Sequence, residues 1–314
     1  MADKNGKPKR SYEELMALTK ARNVKVPADV DKTASETPKQ MFLPGFDIGA
    51  MPNHLNRSSL IAPIARGKRK AHSQTVMVTR ADCVLEYSGQ QLDEADGDLI
   101  MALIYFAQPQ PLGTVVPLNR KELLRKIKPG AIGSTQYEWL HKSMKRLREG
   151  VLFLEARKPD GSTRYKIGHM QSFSIVKELD YNEDTEIYTY MMDPRWVQMF
   201  GNREYGLLDF EKRLQIGRGQ DMAKTLQRLV TTSADPIQRY ALDWLKAKME
   251  YSGRTRDFKD AIGRAVHELE RLEIISKGKI ELSTKGNEQL TMWLQPGGAS
   301  ENGKNRTLRP GERA

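Results

Sequence analysis

Apolar side chains recur at helical spacing along much of this chain, and short apolar runs bounded by Pro and Gly separate those stretches. Leu99, Ile100, Leu103, Ile104 and Ala107 mark the buried side of a helix that begins near Asp93. The segment QPQPLG, with two prolines and a glycine, ends it. VVPLN then reads as a short strand, with Asn119 as N-cap of a helix over residues 120–127. A Pro/Gly turn, KPGAIG, leads to STQYEWLHKSMKRLREG, for which Ser134 is the expected N-cap. Wound as a helix, that stretch places Leu140, Met144 and Leu147 on one stripe and Thr135, Glu138, Lys142, Lys145 and Arg146 opposite. VLFLEARKPDGSTRYKIG reads as two strands joined by Pro-Asp-Gly, and TVMVT and VLEYSG as two strands upstream.

The order helix, short strand, helix, turn, helix, hairpin is that of a winged helix. In that arrangement the third helix enters a major groove and the hairpin wing lies along the backbone or minor groove. A shift of 122 residues brings apolar positions into coincidence without a gap. Ile100, Ile104 and Ala107 fall on Met222, Leu226 and Leu229, and Leu123 and Ile127 on Leu245 and Met249. Leu140, Met144 and Leu147 fall on Ile262, Val266 and Leu269, and Leu152 and Phe153 on Ile274 and Ile275. ISKGKIELSTKG supplies a second, shorter hairpin. The expected fold is α+β: two tandem winged-helix domains over residues 73–202 and 203–295. A flexible basic arm, 1–72, with a short helix near residues 11–18, precedes them, and a disordered tail, 296–314, follows.

The formal net charge of +11 directs attention to polyanions, yet the tails carry most of it. Residues 1–72 hold fourteen Lys and Arg against seven Asp and Glu, and residues 296–314 hold four against two. The middle is nearly balanced, so a nucleic-acid face there must come from patterning. No run of 18 apolar residues could span a membrane, and the N-terminus lacks the apolar core of a secretory signal. Cys83 is the only cysteine, which excludes an internal disulfide and a thiolate zinc cluster. These features fit a cytoplasmic protein.

Enzyme constellations are missing from the pattern. The five histidines are scattered, with no His-x-His pair of the kind rolling-circle nicking enzymes use for metal. GAIGST lacks the lysine of a phosphate loop. HLNR with Tyr87 superficially matches tyrosine recombinases, but too little chain precedes His54 for their catalytic domain. Asp93, Asp96 and Asp98 sit where a helix N-terminus favours acids. The expectation is a protein that is not an enzyme, with no cofactor and no metal.

AMPNHLNRSSL resembles the Met-Pro-Asn…Arg-Ser-x-Leu signature of TrfA-type plasmid replication initiators, and VTRADCVLEYSGQQLDEADGDLIMALIYFAQ resembles the next block of that family. The likeness covers residues 46–294 and is densest over 50–107. It implies two winged helices that bind directly repeated origin sequences, iterons, in double-stranded DNA and start theta-type plasmid replication. It also implies recruitment of the host replicative helicase and sliding clamp, and leaves open a homodimer. A winged-helix transcriptional repressor acting at an operator is the alternative.

On the winged-helix reading, Thr135, Glu138 and Lys142 contact base edges, whereas Lys145, Arg146 and Arg148 hold phosphates. Arg157, Lys158, Arg164 and Lys166 do so from the first wing. The second recognition helix, near residues 254–272, is almost neutral: Asp257, Asp260 and Glu268 offset Arg256, Arg264 and His267. That domain is expected either to read fewer bases or to rely more on Arg254, Arg256 and the wing residues Lys277 and Lys279, with Arg264 also on its DNA-binding face. GKRK, residues 67–70, either trails along DNA or is solvated. Trp139 reads as packing. Gln40, Met41, Phe42, Leu43 and Pro44 form an apolar island that either staples the arm to the first domain or offers a clamp-binding peptide, since the five residues resemble Gln-Leu-x-Leu-Phe.

Overall fold

Buried apolar side chains gather into two clusters, one running from Leu43 to Phe210 and the other from Ile216 to Met292. The computed structural model describes residues 43, 45, 47–64, 69–128, 130–158, 160–168, 172–201 and 204–295. The helix expected near residues 11–18 and the tail 296–314 lie outside them.

The first cluster is built from β1 (Ala50–Pro52), α1 (Asn53–Arg57), β2 (Ala71–Val76), β3 (Cys83–Gln90), α2 (Glu94–Ala107), β4 (Val115–Asn119), α3 (Arg120–Ile127) and α4 (Ser134–Glu149). It continues through β5 (Val151–Arg157), β6 (Thr163–Ile167), β7 (Glu178–Asn182), β8 (Ile187–Met191), α5 (Trp196–Phe200), β9 (Tyr205–Leu207) and α6 (Phe210–Gln215). The second contains α7 (Asp221–Val230), β10 (Ile237–Ala241), α8 (Leu242–Lys248), α9 (Thr255–Arg271), β11 (Ile275–Leu282) and β12 (Glu288–Leu294). The fold is mixed α and β. Among the described residues the strands form four small antiparallel sheets, ordered β1-β9, β2-β3-β5-β6, β4-β8-β7 and β10-β12-β11.

Local chemistry sets the helix starts. The Asp93 side chain accepts from the Asp96 amide while Asp96 accepts from the Asp93 amide, a reciprocal cap on α2. Asn119 accepts from the amides of Lys121 and Glu122 and so caps α3. On α4 the cap is Gly133, one residue before the expected Ser134, because Gln136 Oε1 reaches back to the Gly133 amide at 3.0 Å.

The hairpin expected as the first wing goes elsewhere. Leu152, Leu154 and Ala156 of β5 stand opposite Tyr87, Leu85 and Cys83 of β3, so two strands of matching buried faces pair. β4 closes instead on β8, where Val116 meets Tyr190 and Leu118 meets Tyr188. The sheet β4-β8-β7 thus repeats the strand order of β10-β12-β11, and the hairpin that corresponds to β11–β12 is β7–β8. The 122-residue offset holds for the helices, whose matched positions are buried apart from half-buried Met222. It slips at the strands, because Glu273 takes a left-handed turn at φ 52° and Ile275, not Ile274, faces inward beside Leu152's equivalent place.

Residues 50–62, expected within the flexible arm, are core. Met51, Leu55, Leu60 and Ile61 are buried, and β1 pairs with β9. Their apolar side chains fill the gap between the clusters, which an alternation pattern cannot reveal in so short a segment.

Charged groups close the seam. Glu94 of α2, fully buried, accepts from Arg213 of α6 at 2.8 Å, from Arg228 of α7 at 2.6 Å and from the Thr225 hydroxyl at 2.6 Å. Arg213 also pairs with Asp98, which Lys224 reaches at 2.7 Å. Arg228 donates to the Ile61 carbonyl at 3.1 Å, and the buried Lys248 ammonium donates to the Ser58 carbonyl at 2.9 Å. Burial alone would raise the Glu94 carboxyl, but Arg228 and Arg213 overturn that and hold it well below the usual carboxylate range. Burial, with Arg228 nearby, lowers the Lys248 ammonium well below its ordinary value.

Replacing Glu94 by Gln leaves two buried guanidiniums short of a counter-charge and is expected to cost about 3–5 kcal/mol in urea unfolding. Lys259→Gln, which breaks the more exposed pair with Glu288, should cost under about 1 kcal/mol. Because the folded Glu94 pKa is depressed, its contribution is complete above the ordinary value of 4.5 and is lost only as pH falls through the lower folded value. Acid titration should therefore leave the seam closed at pH 4.5, and a Glu94→Gln variant as stable as the parent there would overturn the assignment.

Candidate nucleic-acid interface

Helix α4 buries Leu140, Ser143, Met144, Arg146 and Leu147 and exposes Thr135, Glu138, His141, Lys142, Lys145 and Arg148. Five of the six residues assigned to this face from the sequence are on it. Arg146 is the correction: it lies one turn from Ser143 on the flank that meets α2, where it pairs with buried Asp96 at 2.6 Å. The apolar stripe is wider than Leu140, Met144 and Leu147 alone suggest, and only the packed partner shows on which side it widens.

Helix α3 adds cations that the sequence reading left out. Lys121, Arg125 and Lys126 are exposed and, with Asn119 and Glu122, line a shallow depression along α3, the helix that packs against α4. Lys126 lies 4.9 Å from the Tyr105 ring centre. Among the described residues no carboxylate lies within ion-pair distance of Lys121, Arg125, Lys142, Lys145 or Arg148. The amphipathic RKELLRKI pattern was the available signal. Trp139 is half-buried against the core with the Lys128 ammonium 3.6 Å from its ring centre, a packing role.

Strands β7 and β3 both pack against α4, and the β7–β8 hairpin carries Glu178, Asp180, Glu183, Asp184 and Glu186. Arg120 ties this acidic hairpin to the start of α4. Its guanidinium lies 4.1 Å from the Tyr137 ring centre, donates to the Tyr181 hydroxyl at 2.9 Å and pairs with Glu186. Like charge makes such a hairpin a poor clamp for phosphate.

Arg157, Lys158, Arg164 and Lys166 lie toward the β5–β6 turn, away from the end of β5 that follows α4. Arg157 and Lys166 share Glu155, at 3.3 and 2.9 Å, and Arg164 pairs with Glu204. Lys158 is exposed at the turn.

On α9, Arg254, Arg256 and Arg264 are exposed, together with Asp257, Asp260 and His267. Glu268 leaves this balance: Arg271 pulls its carboxyl down to about 2, and Glu268 also accepts from the Gly217 amide at 2.7 Å. Lys277 is exposed, whereas Lys279 pairs with Glu281 at 2.5 Å. Of the apolar island, Leu43 is buried in the first cluster, as the staple reading has it, and Gln40, Met41, Phe42 and Pro44 lie outside the described residues. Gly67 and Lys68 also lie outside them. Arg69 grips Asp93 and Asp96, and Lys70 pairs with Glu250 at 2.9 Å, so neither trails along a ligand.

Among the described residues no group of His, Cys, Asp and Glu is placed to hold a metal, and no helix is long and apolar enough to cross a membrane. Burial pushes the Cys83 thiol up to about 12, which makes it unreactive at neutral pH.

The class these features define is a mixed α and β protein with a cationic two-helix face. No family model matches the chain, and no curated protein matches it. Two similar solved structures are of domains 2 and 3 of RctB. One, at 12% identity and a TM-score of 0.49, spans 80% of this chain and 99% of that one. The other, a selenomethionine derivative at 12% identity and a TM-score of 0.48, spans 74% and 94%. At that level the likeness assigns neither fold nor function.

Arg146→Ala strips a counter-charge from buried Asp96 and should lower stability by about 1–3 kcal/mol in urea unfolding. Arg148→Ala, two residues on, should change it by less than about 0.5 kcal/mol. Equal effects would mean that Arg146 is not turned inward.

Proposed function

We propose that this chain is a replication initiator of the TrfA type that binds directly repeated origin sequences in double-stranded plasmid DNA through two winged helices. The exposed face of α4, whose Lys142, Lys145 and Arg148 have no carboxylate partner among the described residues, with further exposed cations on α3, is the observation that carries the reading. A helix of this length fits a major groove, with residues toward its start nearest the base edges and those farther along near phosphates. On this reading β7–β8 is the wing of the first winged helix, and contact there comes from α3 and α4 and not from the acidic hairpin. In the second, β11–β12 is the wing, and its exposed Lys277 has no carboxylate partner among the described residues.

Starting theta-type replication then requires opening of adjacent duplex and delivery of the host helicase and sliding clamp. The clamp contact cannot use Leu43 while that side chain is buried. A homodimer, a cytoplasmic site of action and the lack of catalytic chemistry belong to the same reading. A winged-helix repressor would use the same faces; finding tandem repeats beside an AT-rich stretch in the neighbouring DNA would decide for the initiator.

Filter binding on repeat-bearing and scrambled duplexes across a salt series is the direct test. The expected outcome is tighter binding to the repeats and a steep fall with salt. Lys142→Ala should relax preference at one base position, at about 1–3 kcal/mol, and Lys145→Ala should weaken all sequences alike. Equal affinity for repeat and scrambled duplexes at physiological salt would refute sequence-specific binding.

A further inference from the structure

The face of α9 is nearly neutral: Arg256 and Arg264 stand beside Asp257 and Asp260, leaving little net charge for a polyanion. The end of the β2-β3-β5-β6 sheet, the first of the larger sheets, lies against α8, the helix that precedes α9. The Trp244 indole of α8 donates to the Thr79 carbonyl at 3.2 Å, which docks the β2–β3 turn across the seam. The next residue, Arg80, sets its guanidinium 5.6 Å from the Tyr240 ring centre and 5.9 Å from that of Trp244. Those two rings are themselves stacked, 6.0 Å apart and inclined by 17°.

The turn's acid is neutralised and its cation is not. Asp82 pairs with Arg57 at 2.9 Å, and Arg57 also donates to the Thr232 carbonyl at 2.5 Å. Arg80 is exposed, with no carboxylate in ion-pair distance among the described residues. A guanidinium confined beside aromatic rings by cation–π attraction keeps N–H groups open to a phosphate. The Arg157 amide donates to the Asp82 carbonyl at 2.8 Å, which brings the β5–β6 turn and exposed Lys158 to this same end of the sheet. Across the seam, Lys246 of α8 donates to the Thr255 hydroxyl at 3.1 Å, at the start of α9, where Arg254 and Arg256 are exposed. Asp243 is the exposed acid of α8.

We propose that Arg80 and Lys158, from the end of the first sheet, form with α8 and the start of α9 one cationic surface that binds nucleic-acid phosphates. The surface belongs to both halves of the molecule. It rests on the reading of this chain as a DNA-binding protein and adds a contact region that lies on neither recognition helix. The β5–β6 hairpin then serves the second helix pair, although it follows the first in sequence. Arg80 as a mere strut between the halves would contribute to stability and nothing else.

The test uses the full chain and a repeat-bearing duplex, with affinity measured over a salt series and urea midpoints measured in parallel. Arg80→Ala should weaken binding several-fold at physiological salt and reduce the log–log salt slope by about 1, with an unchanged urea midpoint. Arg80→Lys should keep most of the slope, and Arg80→Ala with Lys158→Ala should lower it by about 2. A lower midpoint with the parental slope would show a strut and overturn the proposal; Lys158→Ala, on an exposed turn, still reads the surface if Arg80→Ala fails to fold. Binding that responds to Lys145→Ala but not to these variants sinks this surface alone. A parent chain that binds no duplex sinks the DNA-binding reading and this surface with it.

Discussion

One buried carboxylate, Glu94, holds the two halves of this molecule in place. It sits at the start of α2 in the first cluster and takes Arg213 and Arg228, both fully buried, as partners. Further N–H groups of those guanidiniums find acceptors in Asp98, the Lys224 carbonyl, the Ile61 carbonyl and Asn56. Buried charge is tolerable only under such saturation, since desolvation otherwise exceeds the Coulombic gain. A network of this kind is specific in direction, where apolar contact is not. It sets α2 against α7, and so the first three-helix set against the second.

The segment behind the family resemblance works at this seam. Asn56 donates to the Met51 carbonyl, Arg57 spans Asp82 and the Thr232 carbonyl, and the Ser58 carbonyl receives buried Lys248. Met51, Leu55 and Leu60 fill the space around them. A motif that looks like a functional tag in an otherwise polar arm is therefore an internal brace. Its sequence pattern follows from the need to satisfy polar atoms in a narrow apolar gap.

Charge is distributed by surface and not by element. The hairpin against α4 is acidic, the turns at the far end of the β2-β3-β5-β6 sheet expose Arg80 and Lys158 with Asp160 beside them, and α9 is mixed. A near-neutral total over the middle of the chain conceals these opposed patches. Steering of a polyanion depends on the local field within about a Debye length, roughly 8 Å at physiological ionic strength, so patches matter more than the sum.

The helices and caps were legible because their determinants are local. The stripe of Leu140, Met144 and Leu147, the Asn119 cap and the Asp93 start each depend on residues within one or two turns, and the 122-residue echo follows from that periodicity. Exposure of Thr135, Glu138, Lys142, Lys145 and Arg148 followed from the same stripe. Strand partners were not legible. β5 and β8 both offer alternating apolar faces, and which of them meets β4 depends on the whole set of pairings, with Leu85 and Tyr87 already committed to β5. Arg146 illustrates the limit at a single residue. Sequence placed it opposite the stripe, but the buried carboxylate of Asp96, 50 positions away, turned it inward. Local periodicity determines which segments become helices and which face of each is apolar; which charges stay in water is decided only when distant segments pack and bury their counter-charges.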